Sequence, residues 1–167
     1  MAGVDRINIC NAYKQLFEAD ASILYGQNKL INSISIKFKE FEQAKIDIGT
    51  PYKMYIKAPD KEKQEARMQN ADYIITINYR VEGKTIDPET AIERLDDIDE
   101  RIDYLVDNQM WGGLYLTDYL NVDGNTLVNT EWISSSVDTV MEVTDDGGEV
   151  WRIHCEGTIT AEINRLK

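Results

Sequence analysis

His154 is the only imidazole among 167 residues, and it sits beside Cys155, one of only two thiols. A Cys–His nucleophilic pair needs both side chains on one side and within hydrogen-bond reach. From Val150 to Ile163 apolar and polar residues alternate, with Trp151, Ile153, Cys155, Ile159, Ala161 and Ile163 on one side. Arg152, His154, Glu156, Thr158, Thr160 and Glu162 occupy the other. Period two is the mark of a half-buried strand, so His154 and Cys155 are expected to point to opposite faces. Nothing in the sequence brings Cys10 to His154. Carboxylates are the second candidate chemistry, because they suit hard cations and, as a pair in a cleft, glycoside hydrolysis. Glu93, Asp96, Asp97, Glu100, Asp103 and Asp107 are spaced along one helical face, with Arg94 and Arg101 near enough in sequence for ion pairing. That is the pattern of a solvated face. Asn121-x-Asp123-Gly124 resembles part of a calcium loop, yet Tyr119 and Thr130 stand where that loop requires acids. No phosphate-cradling glycine motif, GxSxG or HExxH occurs. The sequence therefore leads to an expectation of no enzyme, no metal and no cofactor.

The elements that would position these residues follow from periodicity. Residues 6–20 read as a helix, with Ile9, Cys10, Tyr13, Leu16 and Phe17 on one face and Asp5 available as an N-cap. Ser22–Tyr25 is a short apolar stretch and Gly26-Gln27-Asn28 a turn. Ser33–Phe38 and Tyr52–Ile56 alternate and favour strands. The segment at about 59–71 is charged on every side, which predicts a mobile loop. Tyr73–Val81 is dense in β-branched and aromatic residues and reads as a central strand. Asp87-Pro88-Glu89 combines a capping carboxylate with proline at the first helical position, starting a helix that runs to about Gln109. Ala91, Leu95, Ile98, Ile102, Leu105 and Val106 form its apolar stripe. Trp111-Gly112-Gly113 ends it; Leu114–Leu120 fits a strand or a helix end, and 121–125 a turn. Alternation resumes over Trp132–Thr144, with Ile133, Val137, Met141 and Val143 on one side. Asp145-Asp146-Gly147-Gly148 then closes a hairpin into the last strand. The expected class is α+β: a mainly antiparallel sheet, a long C-terminal hairpin, and two main helices packed on the sheet. The apolar faces of both hairpin strands are expected to lie under the 91–106 stripe.

A chain of this length is expected to form one domain over residues 1–167. No apolar run reaches the roughly 20 residues of a membrane helix, and Met1–Arg6 shows no secretory pattern. The net charge of −12 is uneven. Residues 1–50 hold six basic and six acidic side chains, and residues 51–86 seven and five. Residues 87–110 hold two basic against nine acidic, and residues 111–167 three against ten. Attraction to phosphates needs positive charge, so conventional nucleic-acid binding is not expected. Nine tyrosines and three tryptophans tilt the reading towards protein–protein contacts.

The order of these elements resembles the tail terminator proteins of long-tailed bacteriophages. The opening helix Arg6–Asp20, the Pro51-Tyr52-Lys53-Met54-Tyr55-Ile56 strand, the strong strand Tyr73–Val81, the long helix Asp87–Gln109 and the hairpin Trp132–Ile163 follow that layout. Residues 111–131 look like an added segment. The resemblance implies a homohexameric ring that caps the tail tube, ends its polymerisation and joins tail to head. Its partners would be copies of itself, the tail tube protein and neck or connector proteins, with DNA passing through without specific binding and no membrane involved. Its place would be the virion tail or neck, with assembly in the host cytoplasm. In such a ring Lys61, Lys63, Glu65 and Arg67 are the candidate contacts to a neighbouring subunit or the tube. Glu93, Asp96, Asp97, Glu100, Asp103 and Asp107 are the candidate acidic surface or lumen. Two alternatives stand beside it: another neck, connector or tube subunit, and an acidic DNA mimic that inhibits a host protein.

Overall fold

The computed structural model describes residues 6–20, 31–36, 52–63, 73–108 and 125–165. Its elements run α1 (Arg6–Glu18), β1 (Ile31–Ile36), β2 (Tyr52–Lys63), β3 (Tyr73–Thr85), α2 (Pro88–Asp107), β4 (Asn125–Val143) and β5 (Glu149–Arg165). The fold is α+β, as expected, with one five-stranded sheet in the order β1-β2-β3-β5-β4. All pairings are antiparallel except β1 with β2. No described helix is long and apolar enough to cross a membrane.

Both helices cover the same sheet face. From α1, Ile9, Cys10, Ala12, Tyr13, Leu16 and Phe17 are buried at the three- and four-residue spacing of one helical face. From α2, the whole stripe Ala91, Leu95, Ile98, Ile102, Leu105 and Val106 is buried. They meet Met54, Ile56, Ile75, Ile77, Tyr79 and Val81 of the middle strands, and Ile153, Cys155, Ile159, Ala161 and Ile163 of β5. The start of α2 follows its sequence signal. Asp87 is extended and its carboxylate accepts from the Thr90 amide and hydroxyl, which holds it below the usual carboxylate range. Buried Asp20 ties the end of α1 to α2, accepting from Arg101 Nε at 3.1 Å and Nη2 at 2.5 Å.

Three differences from the expectation matter. First, β2 does not stop at Ile56. Ala58–Lys63 continue it, with Lys61 opposite Ile75 and Lys63 opposite Tyr73, so part of the expected 59–71 loop is strand. One extra residue of β2 lies between Lys57 and Asp60, a bulge that contains Pro59. A bulge is where a strand accommodates proline's missing donor, and charged side chains persist because pairing is made by the backbone. Residues 64–71 lie outside the described residues. Second, β4 begins at Asn125 rather than at Trp132 and carries bulges at Val128 and Ile133. The segments at 22–28, 37–38 and 109–124 also lie outside the described residues. Third, Ile133, Val137, Met141 and Val143 are not under α2. They are between 37% and 69% exposed, and among the described strands β4 is the edge of the sheet, paired with β5 alone.

Candidate functional site

One acid of the long helix faces inward. Asp99 belongs to the run Asp96-Asp97-Ile98-Asp99-Glu100, yet it is only 7% exposed. Its position, four residues after Leu95 and three before Ile102, puts it on the apolar stripe. Tyr79 of β3 donates to Asp99 Oδ1 at 2.7 Å and Ser135 of β4 donates to Oδ2 at 2.6 Å. Cys155 of β5 places its thiol 3.2 Å from Oδ2. Trp132 Nε1 of β4 donates to the Tyr79 hydroxyl at 2.8 Å. The group thus joins α2 to three adjacent strands, and Trp132 and Ser135 flank the Ile133 bulge. On the same face the Tyr13 hydroxyl of α1 meets the Thr130 hydroxyl of β4.

The chemistry available there is that of a closed polar network. Burial, then the neighbouring Asp99 charge, pushes the Tyr79 phenol up from its ordinary value. The same two causes, in the same order, push the Cys155 thiol up. A nucleophilic cysteine needs the reverse shift. Asp99 accepts from donors on both oxygens, which is how a buried carboxyl group is satisfied, and nothing in this geometry generates a base or a nucleophile.

His154 and Cys155 do point to opposite faces. Cys155 is buried against Asp99, while His154 Nε2 lies on the face opposite the helices, 3.8 Å from Asp138 Oδ2. That face, away from the two helices, carries buried Tyr55 and Val150 and a set of ion pairs. Arg80 contacts Glu82 at 2.5 Å and Glu156 at 2.9 Å, and Glu142 receives Lys84 at 3.4 Å and Arg152 at 3.2 Å. Thr158 donates to Asn78 at 3.2 Å. A groove of about 490 Å³ crosses it between the bulges of β2 and β4, lined among others by Lys57, Pro59, Asn78, Ser134, Ser136 and Thr158.

The sequence-derived candidates divide between these surfaces. Glu93, Asp96, Asp97, Glu100 and Asp107 are exposed and Asp103 is half-buried, all on α2 away from the sheet. Burial, then the hydrogen bond and charge of Asp107, pushes Asp103 up to about 6. Arg101 and Arg94 have other companions than the expected acidic stripe: Arg101 holds Asp20 and lies 4.9 Å over Tyr104, and Arg94 lies 5.3 Å over Tyr52. Lys61 lies on β2, 4.9 Å over the Tyr73 ring, and Lys63 ends the strand, whereas Glu65 and Arg67 are outside the described residues. Among the described residues no group of three or more His, Cys, Asp or Glu side chains could hold a metal ion.

Among the described residues the longest apolar surface left exposed lies along β4, the edge strand of the sheet. That strand runs 19 residues, against a usual strand length of about 5–6. Ile133, Val137, Val140, Met141 and Val143 all stand exposed along it. Neither protein-family models nor the curated proteins contain a match to this chain.

Proposed function

We propose that this protein is a structural assembly subunit of the virion of a long-tailed phage, acting as a tail terminator: a ring that caps the tail tube, ends its growth and joins it to the head. The observation that supports an assembly role is the long edge strand β4, with five large apolar side chains exposed along it. Long apolar edges are normally blunted, covered or paired, and contiguous exposed apolar surface marks a contact site. Function then resides in surfaces. Glu93, Asp96, Asp97, Glu100, Asp103 and Asp107 supply a face that repels duplex phosphates and lets DNA pass without adhering.

The test is the mass of the purified protein by native mass spectrometry, with electron micrographs of the same sample. A closed ring supports the terminator reading, and addition of tail tube protein should then yield capped tubes of fixed end structure. Rings that stack into tubes unaided would favour a tube subunit, which the long β4–β5 hairpin keeps as the alternative. A monomer that binds a basic protein with strong salt dependence would favour the acidic mimic.

A further inference from the structure

We infer that the corner of the sheet beside the N-terminal half of α2 is a docking groove for a basic amphipathic helix of a partner protein. The inference deepens the assembly reading above, resting on its premise that β4 is a contact surface, and names the partner's chemistry. The floor follows from register. Thr85, Trp151 and Met141 stand in one row across β3, β5 and β4. α2 begins at Pro88, just after β3 ends in that row, and it is fastened to β4 further along, where Ser135 donates to Asp99. The helix thus crosses the sheet obliquely. Val137, Met141 and Val143 lie on the helix side of β4, by their pairing with Cys155, Trp151 and Glu149. They are 37%, 47% and 69% exposed, rising with distance from the Asp99 contact as an oblique crossing requires.

The wall is one flank of α2. Glu89, Ile92, Asp96, Asp99 and Asp103 recur at steps of three and four and so form one stripe. Asp99 faces β4, which fixes the side on which the other four lie. Ile92, 38% exposed, carries the apolar floor up the wall, with Glu89 and Asp96 exposed on either side of it. Asp96 is near enough for its charge to act on the Cys155 thiol. The basic residues of α2 are on the opposite flank, Arg94 over Tyr52 of β2 and Arg101 on Asp20 after α1. β4 and the turn after it contain no lysine or arginine. Lys84 and Arg152 meet Glu142 on the other face of the sheet.

Charge and position identify the occupant. An apolar strip walled by acids is complementary to an apolar face flanked by lysine or arginine, the pattern of an amphipathic helix laid into a groove. A helix suits the place because Val137, Met141 and Val143 belong to the face that α1 and α2 cover elsewhere. A further helix beside α2 would complete that layer. The described helices of a second copy fit less well. α1 turns its apolar face to its own sheet, and α2 is acidic on its exposed side.

The test uses a capped peptide of leucine and lysine, about 14 residues or four helical turns long, with its leucines on one helical face, and a scrambled peptide of the same composition. Fluorescence anisotropy should show the ordered peptide binding at least tenfold tighter than the scrambled one. Glu89→Gln/Asp96→Asn and, separately, Val137→Thr/Met141→Thr should each weaken it at least tenfold. Asp60→Asn/Asp97→Asn, which removes the same charge elsewhere, should change it less than twofold. Far-ultraviolet circular dichroism checks folding, and the parent gives a readout that needs no variant. Bound peptide should slow peroxide oxidation of exposed Met141 at least threefold, read by mass spectrometry of the digest. No binding, equal weakening by the two acid pairs, or an unprotected Met141 each overturns the docking groove. Indifference to Val137 and Met141 overturns it in favour of charge attraction alone, as an acidic mimic would show. Self-association of the parent that Val137→Thr/Met141→Thr abolishes overturns it in favour of a second copy. The assembly reading stands or falls separately, on the mass of the parent alone and with tail tube protein.

Discussion

The Tyr79 ring occupies the space where Gly157 would carry a side chain. The two are cross-strand partners on β3 and β5, and a Cβ on Gly157 would stand 2.0 Å from Cζ and 2.2 Å from the hydroxyl of Tyr79. The missing side chain is what lets the phenol reach both Asp99 and Trp132. Gly157→Ala should therefore be costly although it adds one methyl group. Overpacking of a filled site costs about 1–3 kcal/mol, and displacement of the phenol would add the loss of its hydrogen bonds. Urea denaturation should show a lower midpoint with an unchanged slope. Equal midpoints for Gly157→Ala and the parent would refute this account of the glycine.

Tyr79→Phe and Asp99→Asn should each lower stability by roughly 1–3 kcal/mol, because each leaves a buried partner unsatisfied. As the two groups share one hydrogen bond, the double variant should fall short of the sum by about 0.5 kcal/mol or more. Additive losses in the denaturation cycle would mean that the two side chains act independently.

Cys155 and Cys10 are both buried, and the Cys155 thiol is pushed up by burial and by Asp99. Both should resist a thiol reagent in the native protein and react within the mixing time in denaturant. Rapid native labelling of Cys155, read by mass spectrometry of the digested protein, would contradict the closed network.

Asp103 gives a pH dependence with a definite sign. Its folded value is pushed up to about 6, while an unfolded aspartate titrates near ~3.9. Between those values the folded state holds more protons than the unfolded one, so stability falls as pH rises through this window. Asp103→Asn should match the parent near pH 4 and melt higher than the parent at pH 7. Calorimetric scans across the window would read this directly, and a variant that melts lower at pH 7 would reverse the assignment.

The residues that were legible in sequence are those whose burial follows a single uninterrupted period. The α2 stripe, the Asp87 cap, the alternation of β3 and β5 and the Asp145–Gly148 turn are of that kind. Asp99 carried the same signal, being positioned between Leu95 and Ile102, but its acidic neighbours disguised an inward-facing carboxyl group as part of a solvated run. The extension of β2 was hidden because Lys61 and Lys63 are held by backbone pairing, which leaves no mark on side-chain pattern. On β4 the Ile133 bulge resets the phase of the strand, and the edge position leaves Val137, Met141 and Val143 with apolar character but no cover. Strand order is a non-local property, and neither the parallel β1–β2 pair nor the place of β5 between β3 and β4 could be read from any window of the chain.

The interior place of β5 has a consequence for synthesis. β5 comes last of the five strands in chain order and yet lies between β3 and β4. As the polypeptide leaves the ribosome, β3 keeps a bare hydrogen-bonding flank and β4 has no sheet to join until residues 149–165 emerge. The β4–β5 hairpin closes locally, but the β3–β5 pairing must form across α2 and β4, and such non-local pairing slows folding. The nascent chain thus waits, half-sheeted and exposed to its siblings on the same polysome, for the strand that bolts it shut.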